Sequence, residues 1–206
     1  MLELFEKGGP IMWPLLVTSI ASLATVVERL LFVVVERRRR QPEVVARLFR
    51  HAEQADWKLA LEVAHGTSDF VARTLAYGLA HREESLTEAL LRAANRELKR
   101  FGRGLTILDT TITLAPLLGL LGTVTGMIGA FGLIGDRTLE APSAITGGIA
   151  EPLIATAFGL AIAITALLPF NYLNARLEET RHEIQNAATQ LELVVRKPRN
   201  SDPTSG

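Results

Sequence analysis

LTILDTTITLAPLLGLLGTVTGMIGAFGLIG, residues 105–135, holds one charged side chain, Asp109, in a stretch otherwise apolar, small or hydroxylic. A helix needs about 20 such residues to cross the hydrocarbon core of a bilayer. Two more blocks meet the same test: residues 11–35, IMWPLLVTSIASLATVVERLLFVVV, and residues 145–173, ITGGIAEPLIATAFGLAIAITALLPFNYL. In hydrocarbon every backbone polar group must be satisfied within the protein, which favours helices. The expected fold class is therefore all-α, an integral membrane protein with three transmembrane helices.

The remaining segments sort around these spans. Residues 1–10 form an N-terminal segment, 36–104 a helical domain, 136–144 a short loop, 174–196 a further helix and 197–206 a tail expected to be disordered. The first block reads as a span and not as a cleavable signal, because MLELFEKGG ahead of it is acidic and no small-residue cleavage site follows.

Basic residues set the expected direction. Residues 36–104 hold fourteen Lys and Arg, starting with Arg37, Arg38, Arg39 and Arg40 directly after span one. The segment from Asn174 holds five, whereas residues 1–10 hold only Lys7 and residues 136–144 only Arg137. Positive residues are retained inside, so the large domain and the C-terminus are expected in the cytoplasm and the N-terminus outside. The four arginines then serve as a topology anchor, and nucleic-acid binding has little support.

Composition excludes several chemistries. The chain has no cysteine, hence no disulfide, thiolate ligand or cysteine nucleophile. His51, His65, His81 and His182 show no metal-ligand spacing. No catalytic set is apparent, and no metal or cofactor is expected. The chain is read as a non-enzyme.

Within 36–104 short helices are expected. Pro42 suits a first helical position; further helices should cover Asp56 to Ala64 and Asp69 to His81, and Ser85-Leu-Thr-Glu88 matches a capping box that opens a fourth. From Leu91 to Gly129 apolar and small residues alternate at three and four, which predicts one helix of about 45 residues through the second span, weakened by about 1 kcal/mol each at Gly102 and Gly104, where a bend is allowed. A similar seam from Leu173 to Val194 carries the third span past the membrane.

Polar groups inside the spans are the candidate sites. Gly119, Gly122, Gly126 and Gly129 form a small-residue face for helix packing. Thr123 lies one residue from Gly122, about 100° around the helix from that face. Counting about 1.5 Å per residue, Thr123 sits roughly 27 Å from Leu105, and Thr156 roughly 24 Å from Tyr172, so the two hydroxyls share one depth. Each either bonds back to its own helix or lines a polar path. Glu151 either faces protein or water within the third span, or caps a helix that begins at Pro152. Arg29 and Glu28 are expected to act apart, Arg29 reaching the headgroups and Glu28 a basic residue of a neighbouring helix.

APLLGLLGTVTGMIGAF (115–131) and ITGGIAEPLIATAFGLAIAI (145–164), with ERL at 28–30 and GGP before span one, resemble the ExbB/TolQ branch of the MotA/TolQ/ExbB proton-channel family. The resemblance covers nearly the whole chain. It implies a homopentamer around a lumen lined by spans two and three, in a bacterial inner membrane. It also implies a dimer of ExbD/TolR-type single-span partners in the lumen and a TonB- or TolA-type transducer beyond. Thr123 and Thr156 match the family's lumen-facing threonines, and Glu151 its lumen-side glutamate. The chain departs from the pattern at Pro152, where the family has a non-proline residue, and at Thr165, where the family's proline falls four residues before Pro169. The competing readings are a scaffold that assembles without conducting and a stator subunit of a related envelope or motility system that uses sodium.

Overall fold

The computed structural model describes residues 8–135 and 142–196, the side chains of 132–152 excepted. Seven helices make up the described residues: α1 Met12–Arg38, α2 Pro42–Glu53, α3 Trp57–Val63, α4 Phe70–Ala80, α5 Arg82–Phe101, α6 Leu105–Gly135 and α7 Pro142–Arg196. The all-α expectation holds. Three of these helices, α1, α6 and α7, are long and apolar enough to cross a membrane. Two compact units divide the chain, Met1–Leu31 with Gly104–Asn174, and Phe32–Arg103 with Ala175–Gly206.

In the first unit the core is small: Met12, Leu15, Ala115 and Ala155, with Ile11, Leu118, Phe158 and Ile162 packed on it. Large apolar side chains point outward instead. Trp13, Val17, Ile20 and Leu23 are 59–66% exposed, and Ile128, Phe131 and Leu168 64–71%. A water-soluble domain rarely presents so much contiguous apolar surface, whereas lipid tails or neighbouring helices cover it without cost. Helices here approach through small residues. A Cβ on Gly119 would stand 2.9 Å from Thr156 Cα, and one on Gly159 only 2.4 Å from the Ala115 carbonyl oxygen.

The second unit is built like a soluble helical domain. Leu48, Leu75, Leu79, Ile184 and Leu191 are 0–1% exposed and share one core with Ala52, Ala60 and Phe70. Each such side chain contributes about 1.5–3 kcal/mol on burial. Helix starts follow local chemistry. Pro42 opens α2; Asp56 accepts from Leu59 N at the start of α3; Asp69 accepts from Val71 N and Ala72 N at the start of α4. Within α5, Ser85 has extended backbone and its Oγ accepts from Glu88 N, so it caps the helix proper behind one preceding turn. Only half of the capping box forms, since the Glu88 carboxylate pairs with Arg92. At the end of α2 the Ala55 N–H reaches Ala52 O and the Asp56 N–H reaches His51 O. This is a Schellman arrangement that puts Ala55 at φ 58° where glycine is usual.

Two expectations about helix continuity resolve differently. The seam from Leu91 to Gly129 is not one helix: α5 ends at Phe101 and α6 begins at Leu105. Gly104 turns the chain at φ +79°, and a Cβ there would lie 2.9 Å from Thr25 Cγ2. The seam's periodicity could not register a turn that only glycine's conformational freedom permits. The third span, by contrast, does overshoot, as 55 residues of unbroken helix from Pro142 to Arg196. The backbone stays helical through positions 152 and 169.

Arg29 also departs from expectation. It is 3% exposed and donates from Nε and Nη2 to the carboxylate of Glu28, its neighbour in sequence. Adjacent Cβ atoms diverge on a helix, but the arginine stem is long enough to fold back. A guanidinium buried in an apolar unit holds a carboxylate because an unpaired charge there is costly.

Candidate functional site

The polar centre of the first unit lies between α6 and α7. Thr123 Oγ1 donates to its own helix at Gly119 O, 3.2 Å away. Thr156 Oγ1 crosses from α7 to the same carbonyl at 2.9 Å. The two hydroxyls are also hydrogen-bonded to each other. Both threonines are half-buried. The shared depth read from the sequence thus becomes direct contact. Placing Thr123 off the packed face was too narrow a reading: the interface is wide enough to include it, because Gly119 and Ala155 let the backbones close in.

Hydroxyl chemistry limits what this cluster can do. Two hydroxyls carry two protons, yet three contacts join Thr123, Thr156 and the Gly119 carbonyl. Each hydroxyl donates once and accepts through two lone pairs. Either both donate to Gly119 O, or one donates to the other and the other to Gly119 O; each arrangement engages both hydroxyl protons. The pair is a hydroxyl site set between apolar helices, suited to water, a hydrated proton or a protonated carboxyl. In a low-dielectric setting such a contact is stronger than in water.

The other sequence-derived residues fall as follows. A Cβ on Gly122 would meet Ala155 Cβ at 2.8 Å and Ile11 Cγ2 at 3.4 Å, so this glycine packs as expected. Gly126 lies further along the same helix. A Cβ on Gly129 would meet nothing within 4 Å among the described residues. Glu151 lies inside α7, nine residues after its start at Pro142, so it does not cap that helix; its side chain lies outside the described ones. Asp109 is exposed. Among the described residues no cluster of His, Asp and Glu could hold a metal ion.

Arg37, Arg38 and Arg39 are exposed, but Arg40 is not part of a plain charged run. Its Nη1 contacts both oxygens of Asp69 at 2.7 and 2.8 Å, its Nη2 reaches Glu183 at 2.6 Å, and its guanidinium lies 4.5 Å over the Phe70 ring. Asp69 is fully buried and also accepts from Gln41 N. Sequence reading saw Arg40 only as a topology anchor and Asp69 only as a helix start. Gly159 and Ala155 were also missed, although Ala155, Gly159 and Ala163 repeat small residues every four positions along span three.

Comparison with known proteins agrees with this architecture. The pattern of the MotA/TolQ/ExbB proton channel family matches residues 62–186. The chain is similar to the putative biopolymer transport protein ExbB-like 1 of Synechocystis sp., with 38% identity over 205 residues, covering 96% of this chain and 80% of that protein. ExbB-like 3 of the same organism is 33% identical over 198 residues, 92% of either chain. The putative ExbB homolog of Methanothermobacter thermautotrophicus is 29% identical over 189 residues, 90% of this chain and 67% of that one.

Proposed function

Since this chain belongs to the MotA/TolQ/ExbB proton channel family, on its ExbB branch, we propose that it is the channel-forming stator subunit of a proton-driven motor serving the cell envelope. Five copies surround a lumen walled by α6 and α7 in the bacterial inner membrane. The N-terminus is outside, and the second helical unit is in the cytoplasm with the C-terminus. Two ExbD/TolR-type chains, each with one span, occupy the lumen and hand force to a TonB- or TolA-type transducer.

The observation that carries this reading is the hydroxyl pair of Thr123 and Thr156, closed on the Gly119 carbonyl in the middle of two apolar helices. A hydroxyl pair that accepts through its oxygens favours the protonated form of a partner's carboxyl. A neutral carboxyl can travel past an apolar wall, and its release of the proton on the cytoplasmic side resets the step. One charge moving through 100 mV releases about 2.3 kcal/mol, enough to bias steps between packed states. By the family resemblance alone, Glu151 is the proposed lumen-side carboxylate.

Proton flux into liposomes holding this chain with its single-span partner tests the reading. Thr156→Ser should conduct and Thr156→Val should not. No flux in the native complex returns the chain to a scaffold role, equal flux in both variants takes the Thr156 hydroxyl out of the path, and flux that follows a sodium gradient changes the ion.

A further inference from the structure

In the second unit a cavity of about 650 Å³ opens between α4 and α5, lined by Arg73, Arg92, Arg96 and Arg100, with Glu97 and Tyr77 among the other lining groups. We propose that this cleft is a binding site for a phosphate-bearing anion.

The charges do not balance around it. Glu97 is 8% exposed and receives Arg73 Nη2 at 2.8 and 2.9 Å and Arg100 Nη1 at 2.6 Å. Glu36, 3% exposed, accepts from Arg100 Nη2 at 3.2 and 3.3 Å. These two carboxylates neutralise Arg73 and Arg100. Arg92 has a single long contact to Glu88, 3.5 Å, between side chains 72% and 69% exposed, a pairing that contributes little in water. Arg96 makes no ion pair among the described residues. Two positive charges are thus left on the cleft wall.

Their arrangement is costly without a ligand. Arg92, Arg96 and Arg100 follow one another at four-residue spacing along α5, which stacks like charges on one stripe and destabilises a helix by about 0.2–0.5 kcal/mol per pair. An anion seated between Arg92 and Arg96 reverses the sign of that term. The two planar guanidinium forks of Arg92 and Arg96 match phosphate oxygens in pairs, which lysines do not. The two fixed pairs on Glu97 hold the back wall of the cleft in place. The volume suits a headgroup-sized molecule. Arg100 is also only five residues ahead of Leu105, where the apolar α6 begins, so a phospholipid headgroup and a free phosphate compound are both sources of the same chemistry.

The full chain in phosphatidylcholine nanodiscs provides the test. Inorganic phosphate is titrated calorimetrically at low salt, and in parallel phosphatidylglycerol is mixed into the nanodiscs and its retention followed by native mass spectrometry. Saturable phosphate binding, or selective phosphatidylglycerol retention, is expected. The first result assigns a soluble ligand and the second a lipid. Arg92→Gln with Arg96→Gln, both exposed positions that leave the fold intact, should weaken the binding about tenfold or more, while Arg50→Gln on α2 leaves it unchanged. The proposal is overturned by any of three results. These are no saturable binding of either probe, equal loss in the Arg50→Gln control, or capture of a polyglutamate peptide alone.

Discussion

Thr156 Oγ1 lies 2.9 Å from the carbonyl oxygen of Gly119, a hydrogen bond that starts on one span and ends on another. It exists because Gly119 has no side chain: a Cβ at that position would meet the Thr156 backbone first. Packing and polarity are therefore one feature here, and variants at either residue should separate their contributions.

Replacing Thr156 by valine keeps the shape and removes the donor. Interhelical hydrogen bonds in membranes average about 0.6 kcal/mol and reach about 1.7, so the loss in stability should fall in that range. Thr156→Ser should recover most of it. Reversible unfolding in mixed micelles measures both.

Gly159→Ala should be more damaging than Gly129→Ala. The first places a methyl 2.4 Å from the Ala115 carbonyl oxygen, and the second meets nothing within 4 Å among the described residues. Overpacking of this kind typically costs about 1–3 kcal/mol. Comparing the thermal stability of the two purified subunits gives the answer directly.

Arg40→Gln should destabilise the second unit far more than Arg39→Gln. Loss of Arg40 leaves the fully buried Asp69 carboxylate with backbone N–H donors but without its counter-charge. Breaking a buried pair costs about 3–5 kcal/mol, and the partial exposure of Arg40 argues for the lower end. Arg39 is exposed, and its removal should stay within about 0.5 kcal/mol. Urea melts of the two variants against the native chain would reveal a shared anchor role if both fell equally.

Ala55→Gly should stabilise. Ala55 holds φ 58° at the end of α2, a conformation that costs a residue with a Cβ about 1–2 kcal/mol. Part of the relief is lost to the greater freedom of glycine in the unfolded chain, leaving a net gain of about 0.5–1 kcal/mol. A rise in melting temperature is the expected result.

Local signals were legible in the sequence. The three apolar runs, the helix starts at Pro42, Asp56 and Asp69 and the overshoot of span three all depend on residues within a few positions of one another. So does the common depth of Thr123 and Thr156, which needs only helix rise and chain direction. What stayed hidden depends on distant partners. Arg40 finds Asp69 across 29 residues and Glu183 across 143; nothing in the run of four arginines distinguishes the one that is drawn inward. The turn at Gly102–Gly104 was masked by an apolar periodicity that continues across it. Arg29 folding onto Glu28 defeats a rule written for Cβ positions, not for a side chain with a long flexible stem.

The shortage of protons at the threonine cluster has a mechanical corollary. Swapping the order of donors between Thr123 and Thr156 rotates two O–H bonds and leaves every heavy atom where it was. A site of that kind can relay polarity from one side to the other at the speed of a hydroxyl rotation, with no helix required to shift until the cargo itself moves.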